Sequence, residues 1–210
     1  MYTLCWSPKG GSGTTVTTVA LGIAHDEPVT IIDLDGDVPA VLGVNDDGPG
    51  IYDWLEATRR PDLAELATDI TDELRLIRCG QTKSVSPIAW ADLADELARS
   101  NRYVVDSGTR AHMNDIANPL LLQSARTLTV LRPCYLALRR ARIAGAAESD
   151  GIVLVQEPSR AIRAHDVATC LGVPIAAVVH IDVAVARAVD AGLLAHRLPR
   201  SLQTLEALAI

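Results

Sequence analysis

The stretch Ser7-Pro8-Lys9-Gly10-Gly11-Ser12-Gly13-Thr14-Thr15-Val16 most narrows what this chain can become. It follows a short apolar segment, Tyr2 to Trp6, and opens into Val16 to Ala24, which can continue as a helix. Glycines at 10, 11 and 13 allow a tight turn that points several backbone N–H groups into one hollow. The helix start beyond them adds unpaired N–H groups and the positive end of a dipole. Strand, loop and helix in that order make a cradle for phosphate. The bland alternative is a glycine-rich turn that holds nothing, and the strand–loop–helix context argues against it.

The rest of the composition fits an α/β chain. Its 210 residues suit one domain, 1–210, without repeats, low-complexity segments or linkers. Hydrophobic residues are 49% of the total, enough for a sizeable core. Only 3% are aromatic and Phe is absent, so that core must be built from Val, Ile, Leu and Ala. Such a palette favours β-branched parallel strands beneath Ala/Leu helices. No apolar run reaches the roughly 20 residues of a membrane span, and no charged-then-apolar leader precedes the first strand.

A net charge of -7 argues against coating DNA through a basic face. Basic residues concentrate only between Arg132 and Arg142, where Arg139, Arg140 and Arg142 crowd together; a solvated helix face is the plain reading of them. Cys5, Cys79, Cys134 and Cys170 form no C-x-x-C and read as reduced, mostly buried thiols of a cytoplasmic protein. A structural disulfide is the alternative that such a compartment disfavours. His25, His112, His165, His180 and His196 have no zinc-site spacing.

Taken in order, Pro28 to Leu34 is a second strand running into Asp33-Leu34-Asp35-Gly36-Asp37. Acids at the C-terminal end of a buried parallel strand stand where open α/β sheets bind ligands; a turn-forming Asp-Gly-Asp cluster is the alternative. Short helices are expected at Val38–Leu42, Ile51–Glu56 and Asp62–Ala67, and a strand at Leu74–Gly80. Pro87 to Arg99 should be an amphipathic helix with Ile88, Leu93 and Leu97 inward, and Trp54 and Trp90 should pack in the core. Tyr103 to Gly108 is an apolar strand ending in Asp106, which could hold the hydration shell of Mg2+ opposite a loop hydroxyl or merely cap the strand. Three strand–helix units follow: Arg126–Leu131 with Tyr135–Ala147, Gly151–Val155 with Arg163–Leu171, and Pro174–Ile181 with Val183–His196. This alternation implies right-handed crossovers and a mostly parallel sheet.

The common phosphate-binding loop reads G-x-x-x-x-G-K-[ST]. Here Gly13 is its last glycine, Thr15 its hydroxyl, Thr14 stands at its lysine and Pro8 at its first glycine. The only lysine in the loop is Lys9, ahead of the paired glycines. This order resembles the deviant Walker A motif, K-G-G-x-G-K-[ST], of the MinD/ParA family; the degenerate form K-G-G-x-G-T-T is most similar to its CpaE/TadZ branch, whose members help position pilus machinery. The resemblance covers essentially the whole chain, with its specific motifs at 7–16, 33–35 and 103–108.

The resemblance implies a three-layer P-loop NTPase fold, with a mostly parallel twisted sheet flanked by helices. It implies ATP or ADP with Mg2+, held by Gly10, Gly11, Ser12, Gly13, Thr14 and Thr15, with Thr15 and Asp106 toward the metal. Lys9 would reach across a nucleotide-dependent homodimer to the other nucleotide, and Asp35 of the D-x-D signature would position water or contact the active-site network; Lys9, Asp35 and Asp106 are the catalytic candidates. Gln156 stands where relatives read adenine with asparagine, and His180-Ile181-Asp182 replaces a proline-containing segment of the base pocket. Thr14 in place of the second lysine, and Ser107-Gly108-Thr109 in place of prolines, imply weak or absent hydrolysis.

The expected role is spatial organisation (pilus or secretion positioning, septum placement or partitioning) with an unidentified protein partner. The alternative is a pseudo-ATPase kept as an interaction module. An ATPase donating electrons or metals would need a cysteine pair that the chain lacks. MinD relatives end in a basic membrane-binding helix; Pro199 to Ile210 instead carries Leu202, Leu205, Leu208 and Ile210 beside only Arg197 and Arg200, with Glu206. Packing on the domain is expected there, rather than stable membrane binding.

Overall fold

The computed structural model describes residues 2–81, 85–99, 102–109 and 117–209; the expectations for His112 and Ile210 lie outside them. Strands β1 (Tyr2–Ser7), β2 (Val29–Asp33), β3 (Thr68–Asp69), β4 (Leu74–Ile77), β5 (Tyr103–Thr109), β6 (Arg126–Leu131), β7 (Gly151–Gln156) and β8 (Ile175–His180) form one sheet in the order β3-β4-β2-β5-β1-β6-β7-β8. Every pairing is parallel except β3 on β4, an antiparallel edge of two residues. The central strands are buried on both faces, which is why they read as unbroken apolar runs.

Helices cover both faces. On one lie α1 (Thr14–Ile23), α2 (Val38–Leu42) and α9 (Val183–Asp190), with a 3₁₀ segment at Arg200–Leu208. On the other lie α3 (Ile51–Glu56), α4 (Leu63–Leu66), α5 (Pro87–Ala98), α6 (Ala117–Gln123), α7 (Tyr135–Ile143) and α8 (Ala164–Leu171). The three-layer α/β architecture expected above is therefore observed. Among the described residues no helix is long and apolar enough to cross a membrane.

Trp54 and Trp90 are buried as expected, with Trp90 edge-on to Tyr52 at 5.7 Å between ring centroids. The final segment packs on the domain: Leu202 and Leu205 are buried, and the Arg126 guanidinium donates to the Leu208 carbonyl at 2.7 Å.

Several expectations are corrected. Ile88 is 74% exposed, because the buried stripe of α5 runs through Ala89, Trp90, Leu93, Ala94 and Leu97, and Ile88 lies on the other side of the helix. The helix expected to reach His196 stops at Asp190, since Gly192 takes a left-handed φ of 64°. That expected to reach Ala147 stops at Ile143, ahead of Gly145 at φ 77° and a 3₁₀ turn. The β3 edge and α6 were not foreseen. All four cysteines are free, but only Cys5 and Cys79 are buried; Cys170 is exposed.

Candidate functional site

β1 lies at the middle of the sheet, and the chain leaving its C-terminal end forms the glycine loop before α1. Gly11 and Gly13 adopt φ of 72° and 93°, which a side-chain-bearing residue adopts only with strain. Two hydroxyls draw the loop inward: Ser12 Oγ donates to the Lys9 carbonyl at 2.6 Å and Ser7 Oγ to the same oxygen at 3.1 Å. Thr17 N–H donates to the Gly13 carbonyl at 2.9 Å and starts α1, two residues earlier than the apolar pattern indicates. No side chain caps this helix, so its first N–H groups face the loop.

The result is a hollow of about 330 Å³. Gly10 to Val16 form its floor, and Asp35, Asp37, Gly108 and Thr109 form one wall. Ala40, Val41 and Val189 close another side. Among the described residues no lysine or arginine lines it. Lys9 does not enter: its Nζ contacts the Gly10 carbonyl at 3.3 Å. Thr14, at the lysine position of the common motif, is buried in that floor, and its carbonyl accepts from the Thr18 hydroxyl at 3.0 Å.

Beneath the hollow, adjacent strands bring acids together. Asp33 of β2 is directly opposite Asp106 of β5, and Cys5 of β1 flanks Asp106 on its other side. Asp33 builds the turn: its carboxylate accepts from the backbone N–H of Asp35 at 3.0 Å, Gly36 at 2.7 Å and Val38 at 3.1 Å. Burial raises its pKa to about 6, and those three hydrogen bonds hold it from rising further. The turn-forming reading of the acid cluster thus applies to Asp33, while Asp35 and Asp37 line the hollow.

Asp106 is wholly buried. Its Oδ1 accepts from Gly108 N–H at 3.0 Å, while Oδ2 has no hydrogen-bond donor. Burial first, and then the charge of Asp33, push its pKa up to about 7; the nearby Thr15 hydroxyl works in the opposite direction. A buried carboxylate oxygen without a donor, beside a threonine at the mouth of an amide-lined hollow, is the donor set a hard divalent cation takes. The residues present therefore fit Mg2+ escorted by phosphate.

Asp35 lies across Gly108. A Cβ added at Gly108 would come within 2.2 Å of the Asp35 carboxyl carbon, and Gly108 itself has φ 55°. Gln156 ends β7 beside the loop but lies outside the lining of the hollow; its Nε2 donates to the Glu157 carbonyl at 3.2 Å. Of the site residues read from sequence, Gly10 to Thr15 and Asp35 line the hollow, Asp106 lies buried beneath it near Thr15, and Lys9 and Gln156 lie outside its lining. Sequence reasoning missed Asp37, which stood in the Asp-Leu-Asp-Gly-Asp cluster, and Val189, for which the local pattern holds no signal.

A mostly parallel sheet with an amide-lined hollow at the end of β1, and acids ending the adjacent strands β5 and β2, is the P-loop NTPase fold. Within that class it is the fold of the ParA/MinD ATPases. The ParA family ATPase from Chlorobium tepidum TLS matches over 99% of both chains at 20% identity, with a TM-score of 0.78. MinD cell division protein from Aquifex aeolicus matches over 99% of this chain and 94% of its own at 18% identity, TM-score 0.78. An ATP complex of a McdA variant from Cyanothece matches over 100% and 97% at 16% identity, TM-score 0.69. No family model and no curated protein sequence matches the chain.

Proposed function

We propose that this chain is a cytoplasmic ParA/MinD-like nucleotide-binding protein with a degenerate Walker A loop. It binds ATP or ADP with Mg2+, hydrolyses ATP weakly or not at all, and works as a nucleotide-dependent homodimer in spatial organisation with a further protein partner. The observation that carries this reading is a hollow lined by backbone N–H groups and Thr15, with the donorless Asp106 Oδ2 buried beneath it near Thr15. The ATP held by McdA and the cell-division role of MinD support it by analogy of fold. By its loop sequence the chain resembles the CpaE/TadZ branch, whose members help position pilus machinery, and that placement is part of the proposal.

Gly10 to Thr15 bind phosphate oxygens through their amides and the Thr15 hydroxyl. Thr15 and Asp106 would hold Mg2+, which supplies positive charge against the phosphates when bound. Asp35 and Asp37 bring negative charge to the same wall, so nucleotide without a divalent cation should bind poorly. Thr14 offers no ammonium to the transferring group, which makes hydrolysis slow. Lys9, turned onto the loop's outer side, stays available for a second copy's nucleotide across a two-fold interface.

Calorimetric titration with ATP, with and without Mg2+, tests the site. Losing one charged hydrogen bond, about 1.5–3 kcal/mol, predicts affinity one to two decades below relatives that keep the second lysine. Sedimentation of wild type and Lys9→Ala with ATP and Mg2+ tests the dimer: the wild type should pair and the variant should not. Equal pairing by both would remove Lys9 from the interface. The absence of a cation among the described lining residues favours one second reading, a pseudo-ATPase interaction module; no ATP binding at millimolar concentration would establish it.

A further inference from the structure

The arginine-rich stretch has no part in the nucleotide reading. It folds as α7, which buries Ala137 and Ala141 against the sheet. The same helix leaves Tyr135 79% and Ile143 77% exposed, with Leu136 at 42%. Single exposed apolar side chains are ordinary; three on one nine-residue helix, interleaved with Arg139, Arg140 and Arg142, form a patch. A solvated face explains the arginines alone, since Arg140 and Arg142 stand in the last turn, where positive charge meets the negative end of the helix dipole. It does not explain the tyrosine and the isoleucine.

The charge is also uncommitted. Among the described residues, none of Arg139, Arg140 and Arg142 takes part in an ion pair, and α7 carries no acid. Arg132 and Arg160, by contrast, are both held by Glu157. Tyr135, Arg139, Arg142 and Ile143 follow helical spacing and share one side of α7. Beside them lies a groove of about 480 Å³, lined by these four with Leu138 and Cys170 of α8.

We propose that this face of α7 docks an acidic amphipathic segment of another protein. Carboxylates of that segment pair with Arg139 and Arg142, and an aliphatic or aromatic side chain enters the groove beside Leu138 and Ile143. Charge complementarity selects the occupant: unpaired guanidiniums on a chain of net charge -7 form a local reversal of sign that orients an acidic partner. The cations are all arginine, whose planar fork matches a carboxylate in two places at once. The surface is concave, which suits a ridge of side chains from a docked helix better than the plane of a lipid headgroup layer.

Fluorescence anisotropy with a blocked helical peptide, its leucine stripe flanked by glutamates, tests this on the full chain. Wild type should bind it with a salt-sensitive affinity. Arg139→Glu with Arg142→Glu, and separately Ile143→Ser, should each weaken binding about tenfold or more, as hot-spot losses do, while leaving Tm unchanged. The charge-reversed double variant should instead bind the same peptide with lysines for glutamates, a gain that misfolding cannot produce. No binding of the acidic peptide at millimolar concentration overturns the proposal. So does equal binding by the variants, or by a peptide with serines for its leucines. Tighter binding of the wild type to anionic phospholipid vesicles or duplex DNA, lost in the same variants, also overturns it and assigns the face to that ligand.

Discussion

Asp106 is buried on every side, faces Asp33 across the sheet and has one oxygen without a donor. Its ionised form is therefore costly in the absence of a bound cation. The unfolded chain releases this proton near the ordinary aspartate value, about 3.9, whereas the folded chain holds it up to about 7. As pH rises through that window the unfolded state ionises first, and folding stability falls; below the window the penalty is absent. Asp106→Asn keeps an acceptor for Gly108 N–H and removes the charge. Without nucleotide or Mg2+, the variant should exceed wild type by roughly 2–4 kcal/mol at pH 8 and match it near pH 4. Urea denaturation at the two pH values decides; a variant less stable at pH 8 would contradict the penalty.

Among the elements, α9 is placed by an interlock of two glycines. Gly43, just beyond α2, and Gly192, just beyond α9, meet so closely that a Cβ on Gly192 would lie 2.4 Å from the Gly43 Cα. Both have left-handed φ, 68° and 64°, so each ends its helix and permits the contact. This contact seats α9 so that Val189 closes the side of the hollow. Gly192→Ala meets backbone as well as unfavourable φ, and should cost about 1–3 kcal/mol of stability. Because it also moves the Val189 wall, nucleotide affinity should fall with it. Denaturant midpoints and ATP titration measured on the same sample check both, and an unaltered midpoint would rule out the interlock.

At the scale of the whole molecule, the final 3₁₀ segment completes the α1 face instead of standing free. Leu202 and Leu205 sink among the residues of α1 and β8, and Ser201 Oγ donates to Asp182 at 3.0 Å. Leu205→Ala should therefore lower stability by about 2–5 kcal/mol, as emptied leucine sites do. A segment reserved for a membrane surface would lose almost nothing, so thermal unfolding of this variant separates the two roles.

Much of the fold and part of the site follow from sequence because their causes are local. The loop from Lys9 to Thr15 is readable since glycine takes without strain the left-handed angles seen at Gly11 and Gly13. β1, β2, β5 and β7 are readable since strands buried on both faces must be apolar throughout, and the acids of the site stand where those runs end. Other features rest on partners distant in the chain. Only the fold divides the acid cluster into Asp33, bonded within its turn, and Asp35, lying over Gly108; that division depends on β2 and β5 pairing in register. Only the fold turns Gln156 away from the hollow, brings Val189 to it and leaves Ile143 exposed in water. Local pattern specifies backbone conformation and which residue types can be buried. Which of them meet, and which are left facing solvent, is decided by the packing of segments far apart in sequence.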